Sequence, residues 1–194
     1  MRIAVDMDEV IADTLAGKRE AIRRACGVEV VDAEMDGRKF KDVIPPEAAE
    51  ALEEELRRGA IYGTFAVMPG AAEALRALHA RHDLFIATAA MDYPMSLAHK
   101  FEWLRDHFPF LDVQNFVFCG DKSVIAADLL IDDSLRHFAR FAGRGILFDA
   151  PHNRLSDWPF RLTGWTGDED GDAVEAIERM ARAPGPGAGR IAAR

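Results

Sequence analysis

An α/β fold on a parallel sheet, with a small helical insert after its first strand, is predicted by three features of this 194-residue chain. Short apolar runs alternate with segments whose apolar residues recur at helical spacing, the pattern of strands joined through crossover helices. An acidic, hydroxyl or basic residue closes each of the main apolar runs. Between the first and second runs lies a long stretch, residues 15–67, with helical periodicity and no strand of its own.

The first run is Ile3-Ala4-Val5, leading into Asp6-Met7-Asp8. With Ile3 to Met7 as a buried strand, period-two alternation puts Asp6 and Asp8 on one side of it. Two carboxylates there are costly unless they share a cation or a proton. Asp13 or Thr14 can cap a helix from about Leu15 to Cys26, with Gly27 as its stop. A polar stretch from Asp32 to Lys41 follows. Pro45-Pro46 opens a second helix that ends at Gly59, with Ala49, Leu52 and Leu56 inside and a Glu/Arg-rich face in solvent.

Pro69-Gly70 restarts the pattern. A helix carrying Ala71, Leu75 and Leu78 leads to the strand Leu84–Ala87, which ends at Thr88. Leu97, Phe101, Leu104 and Phe108 set the apolar stripe of a helix over Met95 to Phe108, with Lys100 on its rim. Phe116-Val117-Phe118 runs into Gly120-Asp121-Lys122, and Leu129-Leu130-Ile131 into Asp132-Asp133. Gly145 to Phe148 is a further strand, followed by Asp149 and the loop Pro151-His152-Asn153. A short edge strand within Arg161 to Trp165 and a closing helix from Asp172 to Arg182 complete the pattern. The Pro/Gly-rich segment 183–194 reads as a disordered tail. The expected division is therefore a core of residues 1–14 and 68–182 with a helical cap over 15–67. Inserts in that position often close over a site as a lid, the alternative being a plain crossover.

At 49% hydrophobic and 29% charged residues, most of the chain should fold as a soluble domain. The net charge of -9 argues against a nucleic-acid polymer or an anionic membrane as partner, although a cleft of opposite local charge can still take a small anion. Cys26 and Cys119 form neither a disulfide framework nor a zinc set, and both read as small core residues. No apolar run approaches the ~18 residues of a membrane span, and no leader is recognisable. A cytoplasmic monomer or homodimer is expected.

Asp6 and Asp8, Thr88, Lys122, and Asp132 with Asp133 all stand at the carboxyl ends of strands. In an open parallel sheet those ends share one edge, and ligands bind in the crevice outside it. Close carboxylates with no His or Cys among them call for a hard divalent cation, Mg²⁺ rather than zinc. A lysine and a hydroxyl beside it suit a phosphoryl group. One leading acid can attack phosphorus while the other handles the leaving-group proton. Singly, Thr88 could bond nearby backbone, Lys122 could be solvated, and the acid pair could cap a helix. Together, and in this order, they have no such ordinary account.

The order Asp-x-Asp, Thr, Lys, Asp-Asp resembles the haloacid dehalogenase (HAD) superfamily of phosphohydrolases. Within it, Val5 to Asp13, Met68-Pro69-Gly70-Ala71, Lys100-Phe101-Glu102-Trp103, Gly120-Asp121-Lys122 and Leu130 to Asp133 are similar to the 5'(3')-deoxyribonucleotidase family. The resemblance covers about residues 2 to 165. It implies a HAD-like Rossmannoid three-layer fold and a Mg²⁺-dependent phosphomonoesterase for nucleoside monophosphates, working through an aspartyl-phosphate. It also implies roles: Asp6 as nucleophile and Asp8 as general acid/base. Asp6, the backbone carbonyl of Asp8, and Asp132 or Asp133 would hold the metal. Thr88, Lys122 and Lys100 would bind phosphate.

Three positions depart from the family pattern. Glu9 stands where glycine is usual, Thr14 where the characterised nucleotidases carry a base-stacking aromatic, and Ser134 where they carry arginine. Thr14, Phe40, Tyr62 and Phe65 are the candidate substrate pocket. A sugar phosphate or another small phosphoester is the alternative substrate class. A non-catalytic phospho-acceptor module is the reading from a different class. It is disfavoured because its acid pair precedes the acceptor aspartate, and because it lacks a long helical insert.

Overall fold

The computed structural model describes residues 1–167 and 171–184. Its elements in chain order are β1 (Arg2–Val5), β2 (Ala12–Asp13), α1 (Thr14–Cys26), α2 (Pro46–Arg58), β3 (Ala66–Val67), α3 (Ala71–His79) and β4 (Asp83–Thr88). These are followed by α4 (Ser96–His107), β5 (Phe116–Phe118), β6 (Leu129–Asp132), β7 (Arg144–Phe148), β8 (Arg161–Leu162) and α5 (Ala173–Arg182). Six strands form one sheet in the order β5-β4-β1-β6-β7-β8, with every pairing parallel. β1 lies inside the sheet, with Val5 in register with Ile86 on one side and Ile131 on the other. Both faces of β1 are covered, which is why Ile3, Ala4 and Val5 form an unbroken apolar run instead of alternating with polar residues. The alternation survives in which core each residue joins. Ile3 and Val5 pack with the helical layer, and Ala4 packs with Leu130 and Leu147 on the opposite face.

That opposite face forms a thinner third layer than the strand–helix alternation implies. Phe138, Phe141 and Trp158, from a short 3-10 turn and loops, cover it in place of an α-helix. The helical layer is conventional. α1 begins on an Asp13 cap that accepts from the Ala16 amide, and it ends at Gly27 with φ 65°. α2 starts on Pro46 and buries Ala48, Leu52 and Leu56, while Ala49 is only half-buried, one step off the expected face.

Three further expectations change. The insert has a strand after all: β3 pairs antiparallel with β2, Ala12 opposite Val67. Two residues per strand are too few to show a period in the sequence. Cys26 is exposed at the end of α1 and Cys119 is half-buried, so neither is a core residue. In α4 the buried face carries Ser96, Lys100, Trp103 and Leu104, leaving Leu97 exposed and Phe101 half-buried. The proposed tail is described only through Pro184, and 185–194 lie outside the described residues. No helix among the described residues is long and apolar enough to cross a membrane.

Candidate active site

Parallel strands bring their carboxyl ends to one edge, and the predicted residues meet there. Asp6 follows β1, its backbone N–H still bonded to the Ile131 carbonyl at 2.9 Å, so the ladder holds it in place. Thr88 ends β4 and Asp132 ends β6, both fully buried. Lys122 opens the turn after β5 and is 1% exposed.

The two leading acids have separate cations. Lys122 Nζ lies 2.7 Å from Asp6 Oδ1 and 2.6 Å from Asp132 Oδ2. Lys100 Nζ lies 2.5 Å from Asp8 Oδ2, donates to Thr88 Oγ1 at 3.0 Å and to the Ala89 carbonyl at 3.1 Å. It also sits 4.9 Å from the centre of the Tyr62 ring. Lys100 is thus inside the site and not on the rim of a stripe. The helical period misled because it follows apolar residues, and here a charge held by Asp8 and Thr88 sits on the buried face. A buried ammonium needs charged and polar partners on every side, and this one has them.

Asp132 Oδ1 accepts from the Ser134 amide at 2.8 Å, so both its oxygens are held. Asp133 has weaker support: the His152 ring stands 3.5 Å from Oδ2, and Asn153 donates to its backbone carbonyl at 2.8 Å. Burial raises the Asp133 carboxyl well above its ordinary value, and Asp132 and Asp6 raise it further. Burial likewise raises Asp6, against the pull of Lys122. Burial alone would depress the Lys122 ammonium, but Asp6 and Asp132 outweigh it and hold it above the usual lysine value. His152 is depressed by burial, so it supplies little positive charge to Asp133.

Carboxylate oxygens of Asp6, Asp132 and Asp133 all come within 4.8 Å of one another. Lys122 neutralises part of that group and leaves Asp133 without a cation among the described residues, so one more positive charge fits here. The donors are all oxygen, which suits a hard metal ion. The Asp8 side chain is turned to Lys100 instead. One of its oxygens, Oδ1, is buried with no partner among the described residues, a group free to meet a ligand.

The residues open into a cleft of about 460 Å³, within the range of small-molecule sites. Asp6, Asp8, Lys122 and Asp133 form its floor, and Lys18, Phe40, Leu52 and Tyr62 of the insert face them. Phe40 and Tyr62 therefore line the cleft as expected, whereas Thr14 and Phe65 are not in its lining. Thr14 is fully buried and donates its hydroxyl to Glu9 Oε1 at 2.5 Å, so it cannot serve as a base platform. Phe65 packs edge-on to Tyr62 at 5.5 Å and lies so close to Gly17 that a side chain there would strike it.

Glu9 lies at φ 62°, the left-handed turn that explains why glycine would be usual, and Lys18 reaches its carboxylate at 3.2 Å. Sequence reasoning assigned no role to His152 and Asn153. They follow the carboxyl end of β7, so the strand-end rule that found Lys122 could have found them. Tyr93 was missed as well. It bonds Glu53 of α2 at 2.9 Å, and burial together with that bond pushes its phenol up to about 12. His137, also in the lining, is pushed down to about 4 by burial and Lys122, so it is neutral at neutral pH.

Comparison with known proteins points one way. Residues 1–176 match the family model described as 5' nucleotidase, deoxy (pyrimidine), cytosolic type C protein. A "putative 5'(3')-deoxyribonucleotidase" of Staphylococcus epidermidis is 42% identical over 164 residues, covering 84% of this chain and 91% of that one. The 5'(3')-deoxyribonucleotidase of Bacillus subtilis is 33% identical over 169 residues, covering 84% and 93%. Among solved structures, a HAD hydrolase of Entamoeba histolytica superposes with TM-score 0.51 at 17% identity, over 91% of this chain and 99% of that one, a likeness of fold.

Proposed function

The chain belongs to the cytosolic type C 5'-nucleotidase family, and from that premise we propose that its site hydrolyses nucleoside monophosphates, deoxyribonucleotides among them, with Asp6 as nucleophile. It is a phosphoric monoester hydrolase of the HAD type. The observation that carries the residue assignment is the separate pairing of the two leading acids, Asp6 with Lys122 and Asp8 with Lys100.

Residues 15–67 act as a cap on a core of 1–14 and 68–182. Support comes from the shared cleft and from the β2–β3 pairing at the neck. With substrate bound, closure over the sheet edge excludes bulk water. Asp6, Asp132 and Asp133 would hold Mg²⁺, joined by the Asp8 backbone carbonyl, with Asp6 and Asp133 giving up any proton on binding. When bound, Mg²⁺ offsets charge on the phosphoryl oxygens and on the acids around them.

Lys122, Lys100 and the Thr88 hydroxyl orient the phosphoryl group. The Asp6 carboxylate attacks phosphorus, the ester P–O bond breaks, and Asp8 gives its proton to the departing alcohol oxygen. Water then attacks the aspartyl-phosphate as Asp8 takes its proton, which releases inorganic phosphate and restores Asp6. Lys100 keeps Asp8 clear of Asp6, so the two carboxylates do different work.

The test is phosphate release with Mg²⁺ across deoxynucleotides, ribonucleotides and sugar phosphates, using Asp6→Asn as the blank. Release from nucleoside monophosphates that falls by about 10³-fold or more in Asp6→Asn is expected. No release from any nucleotide by the unaltered protein, or an active Asp6→Asn, would overturn the assignment.

A further inference from the structure

The cations of this acidic chain are mostly paired. Arg19 meets Asp32, Arg154 meets Asp36, Arg161 meets Asp149, and Lys18 meets Glu9. Lys39, Lys41 and Arg136 are among the exceptions, and they are the ones that line the cleft. None has a carboxylate partner among the described residues, and Arg136 touches only the ring of His137, at 3.3 Å. All three are exposed, and all three line the cleft of the phosphoryl site. They also come from opposite walls. Lys39 and Lys41 belong to the insert, where they flank the lining residue Phe40, whereas Arg136 lies in the turn just after the Asp132-Asp133 pair.

Like charges lining one closing mouth repel, and the repulsion grows as water leaves. Of the acids in the lining, Glu9 is engaged with Lys18 and Glu53 with Arg57 and Tyr93, Asp6, Asp8 and Asp133 belong to the floor, and Asp92 lies beside Tyr62 and Tyr93. An anion between the walls removes the cost and gives all three cations a partner. The phosphate to be cleaved cannot be that anion, because Lys122 and Lys100 already serve it on the floor.

We propose that the preferred substrate carries a second phosphate on its leaving group, bound at the rim by Lys39, Lys41 and Arg136. The proposal rests on the phosphomonoesterase reading above and names the substrate class within it. Phosphate, with about two negative charges and three acceptor oxygens, offsets most of that charge, and both lysine and arginine bind it well. The shared chemistry is a phosphomonoester with a second phosphate; its source is a nucleoside bisphosphate or a sugar bisphosphate.

The experiment compares kcat/KM for two matched pairs: a deoxynucleoside 3',5'-bisphosphate against its 5'-monophosphate, and a hexose bisphosphate against its monophosphate. The unaltered protein should prefer the bisphosphate of one pair, which identifies the source. In the triple variant Lys39→Gln, Lys41→Gln, Arg136→Gln, that preference should fall by at least about tenfold. Lys39→Arg, Lys41→Arg, Arg136→Lys should retain it. Equal loss on both members of a pair, or no preference in the unaltered protein, overturns the second-phosphate site while leaving the monophosphatase intact. Failure of the unaltered protein on every substrate overturns both.

Discussion

Replacing Lys100 with methionine separates two roles that the same side chain could play. The resemblance gives it a phosphate, and the structure places its ammonium 2.5 Å from the Asp8 carboxylate. Methionine keeps most of the volume and removes the charge. Asp8 then loses the group that orients it, and protonation of the leaving alcohol suffers. General acid catalysis contributes about 10²–10⁴-fold, or about 2.7–5.5 kcal/mol of the barrier, so kcat for a nucleoside monophosphate should fall within that range. A nitrophenyl phosphate releases a phenolate that departs without a proton. Its loss should be smaller by about tenfold or more, whatever phosphate contact is lost in common.

Stability changes less than a fully buried ion pair would suggest. The Asp8 side chain is 31% exposed, so water can take the place of the ammonium there. Thr88 Oγ1 and the Ala89 carbonyl lose a buried donor, a loss of about 1–3 kcal/mol. Urea unfolding of Lys100→Met should show that shift, and steady-state kinetics on the two esters should show the split. Equal losses on both esters would sink the positioning role and leave Lys100 as a phosphate ligand alone.

The remaining predictions concern charge and backbone. Burial raises Asp133 and Asp6, so the native state binds their protons more tightly than the unfolded chain; their contribution to stability is present at low pH and is lost as pH rises through the folded-state values. Mg²⁺ bound as proposed would displace those protons, so calorimetry of the metal-free protein should show proton release on Mg²⁺ addition and a larger rise in Tm at pH 8 than at pH 5. Indifference to pH would contradict it. Glu9→Gly relieves about 1–2 kcal/mol of left-handed backbone cost but loses bonds to Thr14 and Lys18, so its urea midpoint should stay near that of the parent. Glu9→Ala keeps the strain, and should lose about 1–2 kcal/mol; an unchanged midpoint would rule this out. Gly59 has φ 83°, and a side chain there would lie 2.4 Å from the Met95 carbonyl, so Gly59→Ala should cost at least about 2 kcal/mol. A thermal melt that matches the parent would refute that packing.

What the sequence made legible follows from which forces are local. Strand runs, helix caps and the strand-end placement of Asp6, Thr88, Lys122 and Asp132 depend on period, capping chemistry and parallel topology, all written in neighbouring residues. Lys100 shows where that legibility stops. Its helix reads as a Leu97–Phe101–Leu104–Phe108 stripe, yet the buried face is rotated to include the lysine, because Asp8 and Thr88 wait for it across the core. Periodicity reports which residues avoid water and says nothing of a charge whose solvation is replaced by partners far away in sequence. Thr14 and Cys26 fail for the same reason: a hydroxyl was read as facing substrate and a thiol as core, and each is settled by contacts in space. The rim of Lys39, Lys41 and Arg136 lies beyond periodicity altogether. A surface cation looks alike in sequence whether it is solvated, paired or waiting for a ligand, and only the pairing of its neighbours tells these apart.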